Sequence, residues 1–192
     1  GLNLLPPASA ETGGQGVVVN GEVAKELHVT TSCPGTSLGI GPIDPDGSAA
    51  ETGTDCSISF GTTNFDTGVD LDISDASASS QPGRNAMKCV TPVTCATRTI
   101  PDVQGNTPFS GSNAGFAVRF AGVSGEAIPV WQLNTSPAPA GYFHALPDTP
   151  ERVCYSPKRI DATCSFRFAA AAVASTAPGD YQATVHFEAL PR

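Results

Sequence analysis

The sequence predicts an all-β chain, in which seven to nine short strands with long loops and disulfides stack as a sandwich. Three observations lead there. Turn formers, 20 Gly and 17 Pro with frequent Ser, Thr, Asn and Asp, interrupt the 192 residues at the spacing of short strands. Apolar residues alternate with period two rather than at helical spacing. Six cysteines, Cys33, Cys56, Cys89, Cys95, Cys154 and Cys164, form an even set with no CxxC and no histidine at zinc-ligand spacing, so disulfides are expected.

The elements follow in order. GLNLLPPASAETGGQG (1–16) is an extension ahead of a single domain over 17–192. VVVNGEV is a first hairpin around Asn20-Gly21 or a bent edge strand. KELHVTTSC turns Leu27, Val29, Thr31 and Cys33 to one face and His28 to the other. CSISF points Cys56, Ile58 and Phe60 inward, and GVDLDIS does so with Val69, Leu71 and Ile73. GFAVRF sets Phe116, Val118 and Phe120 against Ala117 and Arg119; CSFRFA sets Cys164, Phe166 and Phe168 against Ser165 and Arg167. IPVWQL is a further short strand. The clearest strand follows Pro178-Gly179-Asp180, with Tyr181, Ala183, Val185 and Phe187 inward and His186 outward. The regions 74–113 and 134–163 are expected as long surface loops. Strand number and disulfides together point to the immunoglobulin-like kind of sandwich.

Sequence proximity favours pairing Cys33 with Cys56, Cys89 with Cys95 and Cys154 with Cys164, each contributing about 2–4 kcal/mol by restricting the unfolded chain. Such a framework belongs to an extracellular or cell-surface address. The start at Gly1, without an initiator Met, is expected of a mature product after signal removal, the alternative being a chain trimmed in preparation. Ten Lys and Arg against 18 Asp and Glu, a net charge of −8, disfavour nucleic-acid and anionic-membrane partners. FAAAAVA, the longest apolar run, is too short to span a bilayer.

GxSxG and HExxH are absent, and no histidine neighbours a nucleophile, so neither an enzyme nor a cofactor is expected. Asp44 and Asp46 in DPDG, and Asp70 and Asp72 at alternate positions, are calcium candidates; the alternative is an ordinary turn and a solvated strand face. Trp131, Tyr142, Phe143 and Tyr155 could stack sugars, as in a secreted carbohydrate- or surface-binding module, or could anchor loops. Asn134-Thr135-Ser136 has the form of a glycosylation sequon.

Leu2, Leu4 and Leu5 precede Pro6-Pro7 and a polar, glycine-rich run, with nothing nearby in sequence to cover them. Alternation puts Leu2 and Leu4 on one face, and the prolines stop the strand. They are expected to be anchors for β-strand addition to an identical subunit, or else to pack on their own domain. A chain of such contacts does not close and propagates as a fibre.

CSISFGTTN followed by GVDLDISDA, and the closing PGDYQATVHFEA, resemble strand motifs of bacterial and archaeal secreted immunoglobulin-like surface proteins and of donor-strand-exchange fibre subunits such as pilins and camelysin-type matrix proteins. The resemblance implies an extracellular structural subunit of a homopolymeric filament and carries over no catalytic residues.

Overall fold

The computed structural model describes residues 27–33, 39–62, 68–75, 87–95, 97–103, 109, 113–157 and 162–192. The extension 1–16, with Leu2, Leu4 and Leu5, and the segment VVVNGEV lie outside these residues. The described chain is almost entirely β, with several antiparallel sheets and no α-helix.

Its strands are β1 (Leu27–Thr31), β2 (Ala49–Glu51), β3 (Cys56–Thr62), β4 (Val69–Asp75), β5 (Met87–Thr91), β6 (Thr99–Ile100), β7 (Gly115–Gly125), β8 (Ile128–Pro129), β9 (Glu151–Ser156), β10 (Ala162–Ala171), β11 (Asp180–Gln182) and β12 (Val185–Pro191). The first sheet runs β1-β3-β10, with β7 on the far side of β10 and β2 beside its C-terminal end; the second runs β12-β4-β9-β8, and a small third is β11-β5-β6.

One apolar core joins the first two sheets. Ile58 and Phe60 of β3, Phe120 of β7 and Phe166 of β10 meet Val69, Leu71 and Ile73 of β4 and Val153 of β9, all essentially without exposure. These are the residues that period-two alternation turns inward. Phe120 and Phe166 bring their ring centroids to 5.2 Å, and Phe166 and Phe187 to 5.0 Å. On the opposite face of the first sheet, Ser57 pairs with Ser165 and Ser59 with Thr163, each hydroxyl pair at 2.8 Å.

The three disulfides join Cys33 to Cys56, Cys89 to Cys95 and Cys154 to Cys164. Cys33–Cys56 ties the end of β1 to the start of β3, its neighbour in the sheet. Cys89–Cys95 closes a small loop through the 3₁₀ turn Val93–Cys95. Cys154–Cys164 crosses the core from β9 in the second sheet to β10 in the first, and both residues are fully buried.

Three expectations need correction. The region 134–163 is not a surface loop throughout, because β9 lies inside it and Phe143 is fully buried. Region 74–113 likewise contains β5 and β6, with Met87 and Ile100 in the core. The closing strand divides: β11 pairs with β5 in the third sheet, while β12 pairs with β4 in the second. Its inward residues Tyr181, Val185 and Phe187 are only half-buried, because the strand lies at a sheet edge.

Candidate functional site

A β-sheet that ends in water leaves backbone donors and acceptors unpaired, so its edges are where another chain can add. Among the described residues the edges of the two main sheets are managed differently. The outer edge of β7 is capped: Phe116 N–H donates to Pro101 O (2.8 Å), Val118 and His144 exchange bonds of 3.0 and 2.7 Å, and Asn134 N–H donates to Phe120 O (2.8 Å). At the far end of the second sheet, β8 is two residues long and ends in Pro129, which has no N–H to offer.

Besides the short β2, the remaining ends are β1 and β12; these two approach each other across the layer, and no described strand pairs with the outer side of either. In an antiparallel pair, residues directly opposite share a face. Val29 lies opposite Phe60 and Leu27 opposite Thr62, so both point to the core side; yet they are 42% and 37% exposed. Across from them, Phe187 lies opposite Ile73 and Val185 opposite Asp75, again core-facing and half-buried. Alternation assigned the right face to Leu27 and Val29 but not their cover, since among the described residues no strand continues either sheet above them. The result is an apolar seam between two strand edges.

The backbone direction at this seam can be read from one bond. Ser32 N–H donates to Ser57 O at 2.9 Å, in register with the β1–β3 ladder. Bonded and non-bonded pairs alternate along an antiparallel ladder, so Thr30 and His28 bond inward to β3. Leu27, Val29 and Thr31 therefore direct their N–H and C=O groups outward. The same residues supply the exposed apolar side chains and a backbone edge that no described strand pairs.

The other candidates go elsewhere. Asp70 is engaged by Arg152 at 3.0 Å and Arg192 at 3.1 Å. Asp72 lies opposite Glu188; burial, then the carboxylates of Asp70 and Glu188, raise its pKa, and Arg152 opposes the shift. Asp46 caps its own turn, accepting from Ser48 N–H (2.8 Å) and the Ser48 hydroxyl (2.5 Å), bonds that lower its pKa. Asp44 lies in the same segment. Among the described residues no three acidic, histidine or cysteine side chains gather as metal ligands.

The four aromatics do not share a surface. Trp131 is 8% exposed, stacks on His144 at 4.4 Å between centroids, and donates its Nε1–H to Glu151 Oε1 at 2.8 Å. Phe143 is buried against Phe109, and Tyr155 lies beneath the Arg192 guanidinium at 4.1 Å. Tyr142 alone is widely exposed. Asn134 is also buried: its Nδ2, the atom a glycan would occupy, donates to Tyr142 O at 2.8 Å, and its Oδ1 accepts from Ser136 N–H.

Two groups were not singled out by sequence reasoning. Arg119 was assigned to an outward face, yet it is 3% exposed, bonded to Glu51 and to Asn134 O, because residues 131–146 fold over the outer side of the first sheet. A lone arginine in GFAVRF was the available signal. His144, beside a cavity of about 330 Å³ lined also by Trp131, Leu146 and Glu151, is enclosed with no partner for Nε2.

Burial lowers the His144 pKa below its ordinary 6.5, a hydrogen bond to the Gln132 backbone and the Glu151 carboxylate opposing the shift. The unfolded chain then binds the proton first, so this contribution to stability is complete above pH 6.5 and is lost as the pH falls below it. The thermal midpoint is expected to fall between pH 7 and 5, and His144→Gln should flatten that part of the profile. An equally steep fall in the variant would remove His144 as the cause.

No protein-family model matches the chain, and comparison with curated proteins and with solved structures found no match.

Proposed function

We propose that the chain is an extracellular structural subunit of a homopolymeric filament, an immunoglobulin-like sandwich that receives the N-terminal strand of an adjacent copy. The observation that carries this reading is the seam at β1 and β12, where core-facing Leu27, Val29, Val185 and Phe187 lack full cover. The chain itself contains a segment of matching chemistry in Leu2, Leu4 and Leu5. Covering an apolar side chain of this size contributes about 1.5–3 kcal/mol, so a few such contacts plus a short backbone ladder favour assembly appreciably. Three disulfides support an oxidising, extracellular compartment. An acidic surface supports protein rather than nucleic-acid partners.

Deleting residues 1–7 is expected to leave the far-UV circular dichroism and melting midpoint unchanged while abolishing threads in negative-stain micrographs. Threads of unchanged length in the deletion variant, or a full chain that light scattering shows to be monomeric at high concentration, would refute the proposal.

A further inference from the structure

The seam has two edges, and only one can be the first to bond an incoming strand. We infer that the acceptor is the outer edge of β1, and that the occupant is the Leu2–Leu5 segment of a second copy, paired antiparallel with Leu2 opposite Val29 and Leu4 opposite Leu27. This inference rests on the filament reading above and adds the acceptor strand, the sense and the register.

Four observations lead to it. Leu27, Val29 and Thr31 direct their backbone groups away from β3, as the Ser32–Ser57 bond requires, so the edge offers a bonding pair at every second residue. At such pairs the opposite residues share a face, so leucines spaced two apart cover the two exposed apolar side chains on the core side. Every strand pair in the three sheets is antiparallel, so this sense extends the existing twist. In this register Pro6, which lacks an N–H, falls two positions beyond Leu27, the first described residue of β1, and ends the incoming ladder there. Leu5 then points to the opposite face.

The intervening chain allows the exchange. Ala8–Gly16, the remainder of the extension, is nine residues long, and a chain of that length reaches up to ~30 Å when extended.

The test uses full-length chains with one partner disabled in each. Val29→Pro removes an outward N–H and places a ring on the edge while leaving the inward bonds of His28 and Thr30; Leu2→Asp with Leu4→Asp disables the donor. Each variant alone should form no filaments by electron microscopy. Mixed in equal amounts, they should give one heterodimer by light scattering, because the Val29→Pro chain can still donate and the leucine variant can still accept. Leu5→Asp should polymerise as the parent does.

Filaments from Val29→Pro together with their loss in Val185→Pro would move the acceptor to β12 and overturn the inference while leaving the filament reading intact. Monomers in the mixture, or loss of filaments in Leu5→Asp with retention in Leu4→Asp, would also overturn it. If Val29→Pro lowers the melting midpoint, Val29→Asp replaces it, putting a charge in the seam with the backbone unaltered. Absence of filaments from the parent chain would fail the filament reading itself.

Discussion

Glu51→Ala is expected to lower the unfolding free energy by about 3–5 kcal/mol, because it leaves a buried guanidinium without its counter-charge. Arg119 lies in the middle of β7, 3% exposed, under the cover of residues 131–146. Its Nε–H donates to Glu51 Oε1 and its Nη1 to Asn134 O at 2.9 Å, so removal of the carboxylate leaves one carbonyl to satisfy the cation. Arg167, opposite Arg119 in the β10–β7 register, adds a second positive charge whose own partners are Asp55 and, at 4.0 Å, Glu51. Removing Glu51 therefore leaves two facing arginines to repel each other. The same argument makes the pair replaceable: Glu51→Leu combined with Arg119→Met should recover most of the loss, since apolar groups of similar size satisfy the site without desolvation cost. Urea denaturation of the single and double variants measures both effects. A single-variant loss below about 1 kcal/mol would mean that water reaches the guanidinium, as it does at surface pairs.

Gly68→Ala is expected to cost about 3–5 kcal/mol, at the upper end of single-residue effects. Gly68 opens β4 with φ +84°, a conformation that side chains resist, and a Cβ there would overlap the carbonyl oxygen of Ser156 and lie 2.9 Å from the carbonyl carbon of Pro157. Neither neighbour can step aside. Val69 pairs with Ser156 at the start of the β4–β9 ladder, and Arg192 N–H donates to Gly68 O at 3.1 Å, so β4, β9 and the end of β12 converge there. Gly41 separates the two contributions: its φ is +87° but nothing lies within 4 Å of its Cβ position. Gly41→Ala should therefore cost only the conformational part, about 1–2 kcal/mol. Equal losses at both positions would show that backbone conformation, not the close approach to Ser156, dominates at Gly68.

The core strands were legible because alternation is a local property. Cys56, Ile58 and Phe60, Val69, Leu71 and Ile73, Phe116, Val118 and Phe120, and Cys164, Phe166 and Phe168 all turn inward as their spacing requires. Cysteine pairing was legible for a related reason: partners 6, 10 and 23 residues apart meet wherever the chain turns back between short strands. The seam was half legible. Period two gave Leu27 and Val29 their face, but their exposure depends on which strands stand at the ends of the sheets.

Arg119 was misjudged, and Trp131 was left between a sugar platform and a loop anchor, for one reason. The segment 131–146 is rich in turn formers, which mark where a chain bends but not what it lies upon. It folds over β7 and β10, burying Arg119 against Glu51, 68 residues away in sequence, and turning Trp131 toward Glu151. A charged side chain reads as solvated until something distant covers it.

The strand character of β1, β3, β4, β7 and β10, their inward faces and the three cross-links thus follow from the order of residues alone, because each depends on residues nearby in the chain, whereas β5, β6 and β9 read as loops. Sheet order, the splitting of the closing strand between two sheets, the burial of Arg119 and His144 and the half-exposed seam at β1 were decided by packing. Each of these depends on contacts between residues far apart in sequence, where short-range pattern carries no information about what will lie opposite.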